Sequence, residues 1–143
     1  MAPLRRVADQ PTWLLGRANA RSQRILAEGF NAAGARGYQF RILAGLEQYG
    51  PSSQADLGRN TGIDRSDVVA TVNELVAQGF VRRDPDPDDR RRNIITLTPT
   101  GGDALGRLDR FVHDAQVRML APLSPDERST LVALLAKLVH SEE

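Results

Sequence analysis

Residues 53–98 read SQADLGRNTGIDRSDVVATVNELVAQGFVRRDPDPDDRRRNIITLT, and the punctuation of this stretch decides the fold. Ser53 followed three residues later by Asp56 is a capping-box-like helix start, because a short polar side chain can serve an orphan backbone N–H. The helix it opens is short, about 54–60, since Thr61-Gly62 breaks it. Asp64 then stands as N-cap to a second helix, Arg65 to Gln78, with Gly79 at the position that favours a left-handed backbone. Val68, Val72, Leu75 and Val76 recur at helical spacing and form its inner face. Helix, tight glycine-containing turn, helix is the helix-turn-helix pattern. After Gly79 the period changes. Phe80–Arg83 and Asn93–Thr98 read as two short strands, and the Asp/Pro/Arg run between them is too polar to be anything but an exposed hairpin tip. Two strands bracketing a charged tip directly after a helix-turn-helix make a wing.

Outward from this centre the chain is helical. Thr12 caps a helix that runs to about Glu28, where Gly29 is expected to stop it. Trp13, Leu14, Ala18, Ile25 and Leu26 lie roughly on one stripe of it, and Arg17, Arg21 and Arg24 on another. A second helix spans Tyr38–Tyr49 and ends at Gly50-Pro51. Beyond the wing, Pro99 restarts a helix over about 100–120. Ser124-Pro125 opens a last one, whose apolar set is Leu131, Leu134, Leu135 and Leu138. The fold class is therefore mainly α with a small β element (α+β). It is a winged helix-turn-helix lobe over 38–98 within one domain of 1–143, with the helices of 1–30 and 100–143 forming a dimerisation region.

A chain of 143 residues is one ordinary domain, and it can bury roughly 70% of its unfolded surface without staples. The absence of cysteine excludes disulfides, thiolate metal sites and thiol-based redox sensing. His113 and His140 have no third ligand at metal spacing, so no metal is expected. No P-loop, dinucleotide fingerprint or nucleophile elbow is present, and Ser66, Asp67 and His113 lack the segments that would make them a triad. Catalysis, and with it any cofactor, is not expected. No apolar run is long enough for a signal peptide or a membrane span, so the chain is read as cytoplasmic with no membrane partner.

Nineteen basic against 18 acidic side chains leave a net charge of only +1, which by itself does not suggest a polyanion as partner. The distribution is more telling, at +5 for residues 1–41, −3 for 42–81, +1 for 82–92 and −2 for 93–143. Residues 82–92 hold nine charges in eleven positions, a dense local pattern hidden by its small sum. All but one of the basic residues are Arg, a bias that a GC-rich genome explains, though not its concentration in this segment. The planar guanidinium suits phosphate and guanine better than an ammonium does.

These pieces have a physical reason to meet duplex DNA. The major groove admits one α-helix and displays a distinct donor and acceptor code. In a helix-turn-helix the first turn of the second helix meets the bases. The outward face of that helix carries Arg65, Ser66, Val69, Ala70 and Asn73. Arg65 suits guanine or phosphate, Ser66 phosphate, and Asn73 adenine or a backbone oxygen. Asp67 and Glu74 oppose phosphate, so only the first turn is expected to enter deeply. Ser53 is a further candidate at the start of the preceding helix. In the wing, Arg90, Arg91 and Arg92 can reach phosphates or a narrow minor groove, whose negative potential favours inserted Arg. Asp89 is expected to order the tip by pairing with a neighbouring Arg. The alternative function class is a winged-helix module for protein contact that ignores duplex DNA.

The run Gly50-Pro51, Ser53 to Gly58, then Gly62 to Val68, resembles the multiple-antibiotic-resistance-regulator (MarR) family. So does Leu75 to Arg83 followed by Asp86-Pro87-Asp88-Asp89-Arg90-Arg91, the most specific part. The likeness spans essentially the whole chain. It implies a transcriptional regulator, commonly a repressor. The family works as a homodimer with interlocked terminal helices, reading a pseudo-palindromic operator in double-stranded DNA. On that basis Trp13, Leu14, Phe111, Val112, Leu131, Leu134 and Leu138 are the expected interface, with ordinary intrachain core as the alternative for each. Arg91 matches the family's minor-groove arginine. Positions 69 and 70, often polar or basic in the family, are Val69 and Ala70 here, which shifts base reading onto Arg65, Ser66 and Asn73. Many members release DNA when a small aromatic or phenolic anion enters a cleft. Trp13 with Arg17, one turn apart, could stack on and pair with such an effector.

Overall fold

The computed structural model describes residue 2 and residues 4–141, and its backbone is divided into two compact units. One is built from residues 26–112, the other from the described residues up to 25 and from 113 onward. Among the described residues, six helices and three strands run in the order α1 (Pro11–Ala32), α2 (Gly37–Tyr49), β1 (Ser52–Ser53), α3 (Gln54–Thr61), α4 (Arg65–Ala77), β2 (Val81–Pro85), β3 (Asn93–Leu97), α5 (Pro99–Met119) and α6 (Pro125–Val139).

In the 26–112 unit, helices α2, α3 and α4 close over one apolar core. Ile42, Leu43, Leu57, Val68, Val72, Leu75 and Ile95 are sealed from solvent there. The inner-face periodicity of α4 is what brings Val68, Val72 and Leu75 to this core. The sheet has the order β1-β3-β2 and is antiparallel throughout. Arg83 stands opposite Ile95 and Val81 opposite Leu97 in the hairpin register. Strand β1 is only Ser52 and Ser53, paired with Ile95 and Ile94. It carries no alternating pattern and was not expected.

Several boundaries differ from the sequence reading. Helix α1 does not stop at Gly29. That glycine lies inside the helix and faces α5, where a Cβ would make an ordinary contact with the backbone oxygen of Phe111 at 3.6 Å. The helix ends at Gly34, whose φ of +70° only glycine adopts cheaply, with Ala35 N–H donating back to the Phe30 carbonyl at 2.8 Å. Phe80 is not part of strand β2. Gly79 turns the chain at φ +75°, and the Phe80 carbonyl accepts from Thr98 N–H at 3.1 Å instead of pairing in the ladder. Pro85 ends β2, which is tolerable because β2 is an edge strand. Asp64 occupies the N-cap position of α4, but its carboxylate makes no capping bond.

In the other unit, α6 begins as its sequence predicted. Ser124 Oγ accepts from Glu127 N–H at 3.2 Å, Glu127 Oε1 accepts from Ser124 N–H at 2.9 Å, and Pro125 takes the first helical position. The return bonds hold the Glu127 carboxyl below its usual range. Arg21 fastens α1 to the end of α5 by donating to the Met119 carbonyl at 2.7 Å. Helix α6 buries none of its residues, and Leu14, Leu134 and Leu138 are at least half exposed. No helix among the described residues is long and apolar enough to cross a membrane.

Candidate nucleic-acid interface

Helix α4 presents Arg65, Ser66, Ala70 and Asn73 to solvent, with Val69 half-buried beside them. Of its two acidic residues, Asp67 stands half-exposed in the first turn, and Glu74 turns toward α2. The Glu74 carboxylate accepts from Gln39 Nε2 at 3.0 Å and pairs with the Arg36 guanidinium at 3.2 Å, both at the start of α2. One of the two charges that seemed to oppose phosphate is therefore already paired within the lobe. It ties α4 to α2 instead of facing a ligand.

Ser53 is corrected. Its side chain is among the most buried polar groups of the lobe, and its hydroxyl accepts from Asp56 N–H at 3.1 Å as the N-cap of α3. A hydroxyl with 2% exposure that caps a helix is not presented to DNA. The Ser53 hydroxyl and then Arg59 hold the Asp56 carboxyl below its ordinary range. Helix α3 ends at Gly62, in the left-handed conformation that the turn of a helix-turn-helix requires.

The wing tip is built by two aspartates. Asp86 is buried, and its carboxylate accepts from Asp88 N–H at 2.9 Å and from Arg92 Nε at 2.6 Å. Backbone bonds from Asp86 N–H to the Arg92 carbonyl and from Arg92 N–H to the Asp89 carbonyl close the loop. The Asp88 amide first, and the Arg92 guanidinium second, hold the Asp86 carboxyl below the usual range. Asp89 accepts from the Arg91 backbone N–H and from its Nε, each at 3.1 Å. That pairing with Arg91 lowers the Asp89 carboxyl, whose ordering role was expected. Arg92 has a second task beside the expected one, with 53% of its side chain still exposed. Its Nε bonds a buried carboxylate and pins the tip, from which Arg90 and Arg91 project. Arg91 keeps 91% of its side chain exposed even while paired.

Sequence reasoning missed three participants. Asp86 had a signal, since Asp-Pro-Asp favours an Asx turn, but nothing local pointed to Arg92 six residues on. Arg83 donates from Nη1 to Asn73 Oδ1 at 2.6 Å, joining strand β2 to the outward face of α4. Gln39, on the buried side of α2, had no visible purpose in the sequence. It also lines a cavity of about 240 Å³ within the 26–112 unit, together with Gln78, Phe80, Arg107, Leu108 and Phe111.

The remaining expected residues are dispersed. Trp13 and Arg17 lie on the exposed part of α1, with the guanidinium 5.9 Å from the ring centroid in a cation–π contact. Leu131 is half-buried on α6. Val112 packs partly against the core of the 26–112 unit, so its apolar surface serves the chain itself. Phe111 turns to the cavity just described. No cluster of three or more potential metal ligands exists among the described residues.

Comparison with known proteins agrees with this geometry. A family model described as the MarR family matches residues 29–92. The HTH-type transcriptional repressor NicR of Pseudomonas putida is 31% identical over 137 residues, covering 96% of this chain and 87% of that one. A crystal structure of a probable transcriptional regulator from Pseudomonas aeruginosa superposes with a TM-score of 0.81 at 36% identity, over 91% of this chain and 97% of the other. Bordetella bronchiseptica BpsR, whose DNA binding is regulated by 6-hydroxynicotinic acid, gives a TM-score of 0.84 at 28% identity over 99% and 100% of the two chains.

Proposed function

This chain belongs to the MarR family of transcriptional regulators, and we propose that it is a homodimeric repressor that holds a pseudo-palindromic operator through Arg65, Ser66 and Asn73 of α4 and Arg90 and Arg91 of the wing. The observation that carries this reading is the sorting of charge within one lobe. Glu74 and Asp86 are consumed by internal partners, while Arg65, Arg90 and Arg91 stand at the surface. A near-zero sum thus becomes a locally cationic face. Phosphates then position the lobe, and the first turn of α4 reads base edges.

Dimerisation follows from the uncovered apolar stripe of the terminal helices, where Leu14, Leu134 and Leu138 each expose half or more of their surface. The regulator acts by binding equilibria without catalysis, in the cytoplasm where its DNA is found.

Release by a small aromatic anion is part of the same proposal, and the BpsR relationship supports it. The cavity in the 26–112 unit has the volume of a one-ring molecule, two phenyl rings and one guanidinium, from Arg107. It suits such an anion better than the Trp13–Arg17 pair, which is already engaged with itself. Because Gln39 both lines the cavity and holds Glu74 of α4, an occupant that takes its amide reaches the reading helix directly.

The test is duplex affinity against salt, using fragments selected by the protein from its source genome. Log K should fall linearly with log salt, and Arg91→Ala and Arg65→Ala should each weaken binding and flatten the slope. Unchanged affinity in both variants at physiological salt would end the DNA reading in favour of a protein-contact module. Added benzoate or 6-hydroxynicotinate should release the fragment from the wild type and not from Arg107→Gln.

A further inference from the structure

The contact between Asn73 and Arg83 fixes which way the asparagine amide points. An arginine side chain has five N–H donors and no acceptor, so the atom facing Arg83 Nη1 at 2.6 Å is necessarily the amide oxygen. The other amide atom, Nδ2, only donates and belongs to a side chain exposed on α4. Adenine in the major groove asks for an acceptor toward its N6 amino group and a donor toward N7 together. Asn73 cannot present that pair here. One lone pair of its oxygen is taken by Arg83, and the guanidinium beside the other would set donors against the N6 amino group. Guanine O6 and N7, like phosphate oxygens, are acceptors and meet donors only.

The pair is well placed to act. Asn73 lies on the same helix face as Arg65, Ser66 and Val69, at spacings of three and four residues. Arg83 is seated opposite Ile95 in the middle of the hairpin ladder, so its backbone is held while its guanidinium reaches across to α4. Two residues on different elements thereby form one cationic, donor-rich patch on the same face of the reading helix as its first turn, two turns further along.

We propose that Asn73 and Arg83 form a single donor-rich reading element that selects acceptor edges, guanine or phosphate, and rejects adenine. The proposal rests on the DNA-binding reading above. It replaces the expectation that Asn73 by itself reads adenine.

The experiment uses a duplex selected by the full-length protein from a random pool, and a series of it substituted one base pair at a time. Affinities are measured at several salt concentrations for the wild type, Arg83→Met, Asn73→Ala and the double variant. Failure of the wild type to bind any duplex would sink the DNA reading itself, and this element with it. If the wild type binds, each single variant should lose about tenfold in affinity, the scale of one lost base contact. The double variant should lose little more than either single one, because the two residues act together. With guanine as the target, the loss and a new tolerance of adenine appear at one base pair. With phosphate as the target, the loss is uniform across the series and the salt slope flattens. Wild-type affinity in either single variant, losses that multiply in the double variant, or a wild-type preference for adenine at the base pair that Asn73→Ala relaxes would each overturn the proposal. Should Arg83→Met fail to fold, Asn73→Asp is decisive. It keeps the bond to Arg83 and removes the amide donor, so full affinity there would reduce the contact to a tie between wing and helix.

Discussion

Gly101 and Gly102 are consecutive in the first turn of α5, and replacing each with alanine should have opposite effects. A Cβ on Gly101 would lie 2.8 Å from the Phe80 carbonyl carbon and 2.9 Å from Leu97 Cδ1, and closer still to the Phe80 oxygen. That oxygen cannot simply retreat, because it accepts the Thr98 N–H at 3.1 Å, and the Thr98 hydroxyl bonds the Gly79 carbonyl at 2.7 Å. Relief requires the start of α5 to move away from the turn between α4 and β2. Overpacking of this kind costs about 1–3 kcal/mol, and the obstacle is backbone, so the upper end applies. Loss of the Thr98 bond adds roughly 1 kcal/mol, while the better helix propensity of alanine returns up to about 1 kcal/mol. The net is about 3 kcal/mol, a fall in Tm on the order of 10 °C for a chain of this length. A Cβ on Gly102 meets nothing within 4 Å, so Gly102→Ala should stabilise by roughly 0.5–1 kcal/mol. Urea and thermal unfolding followed by circular dichroism, at one fixed protein concentration because a dimer's Tm depends on it, measure both. Duplex affinity should fall with Gly101→Ala, since the displaced turn carries the base of the wing, and stay level with Gly102→Ala. Equal stability of the two variants, or greater damage from Gly102→Ala, would refute the packing argument.

Asp86→Asn should loosen residues 86–92, seen as faster amide exchange there, and lower duplex affinity without changing helix content. Asp89→Ala should also lower affinity, by freeing Arg91; full operator affinity in that variant would remove the ordering role. Both carboxyls are held below their ordinary value, so their contribution to wing order is complete above that value and is lost as the pH falls through the depressed folded ones. Wing amide spectra should accordingly be flat from pH 8 to about 5 and change only below about pH 4. Ser53→Ala should cost about 1 kcal/mol of stability as a lost N-cap, yet leave the salt slope of DNA binding as it was. Leu134→Glu with Leu138→Glu should give a folded monomer in sedimentation, and a persisting dimer would place the interface elsewhere.

The helix-turn-helix and the wing were legible because their signals are local. Gly62 and Gly79 adopt the left-handed turns their positions suggested, Ser124 and Pro125 open α6, and the spacing of Val68, Val72 and Leu75 marks the buried side of α4. Asp89 could be read as a partner of the adjacent arginines because the pair is two residues apart. Ser53 was legible as a cap and misread as a DNA contact. Type and position say that a hydroxyl starts a helix, but not that strand β1 buries it against β3. Gly29 was misread because a glycine inside a helix and one that ends it look alike until the turn at Gly34 is known.

The sequence by itself determined the order of the helices and of the two wing strands, the inner faces of the helices and the residues from which a DNA-facing surface could be made. These follow from backbone preference and periodicity over a few neighbouring residues. Only the tertiary structure decided which charges are spent. Glu74 meets Gln39 and Arg36, Asp86 meets Arg92 across six residues, and Arg83 meets the Asn73 amide oxygen. Each pairing joins groups that only folding brings within hydrogen-bond distance. An ionic or amide group has no fixed role until its partner is in place, and so the net charge of the chain says little about the charge of its surface.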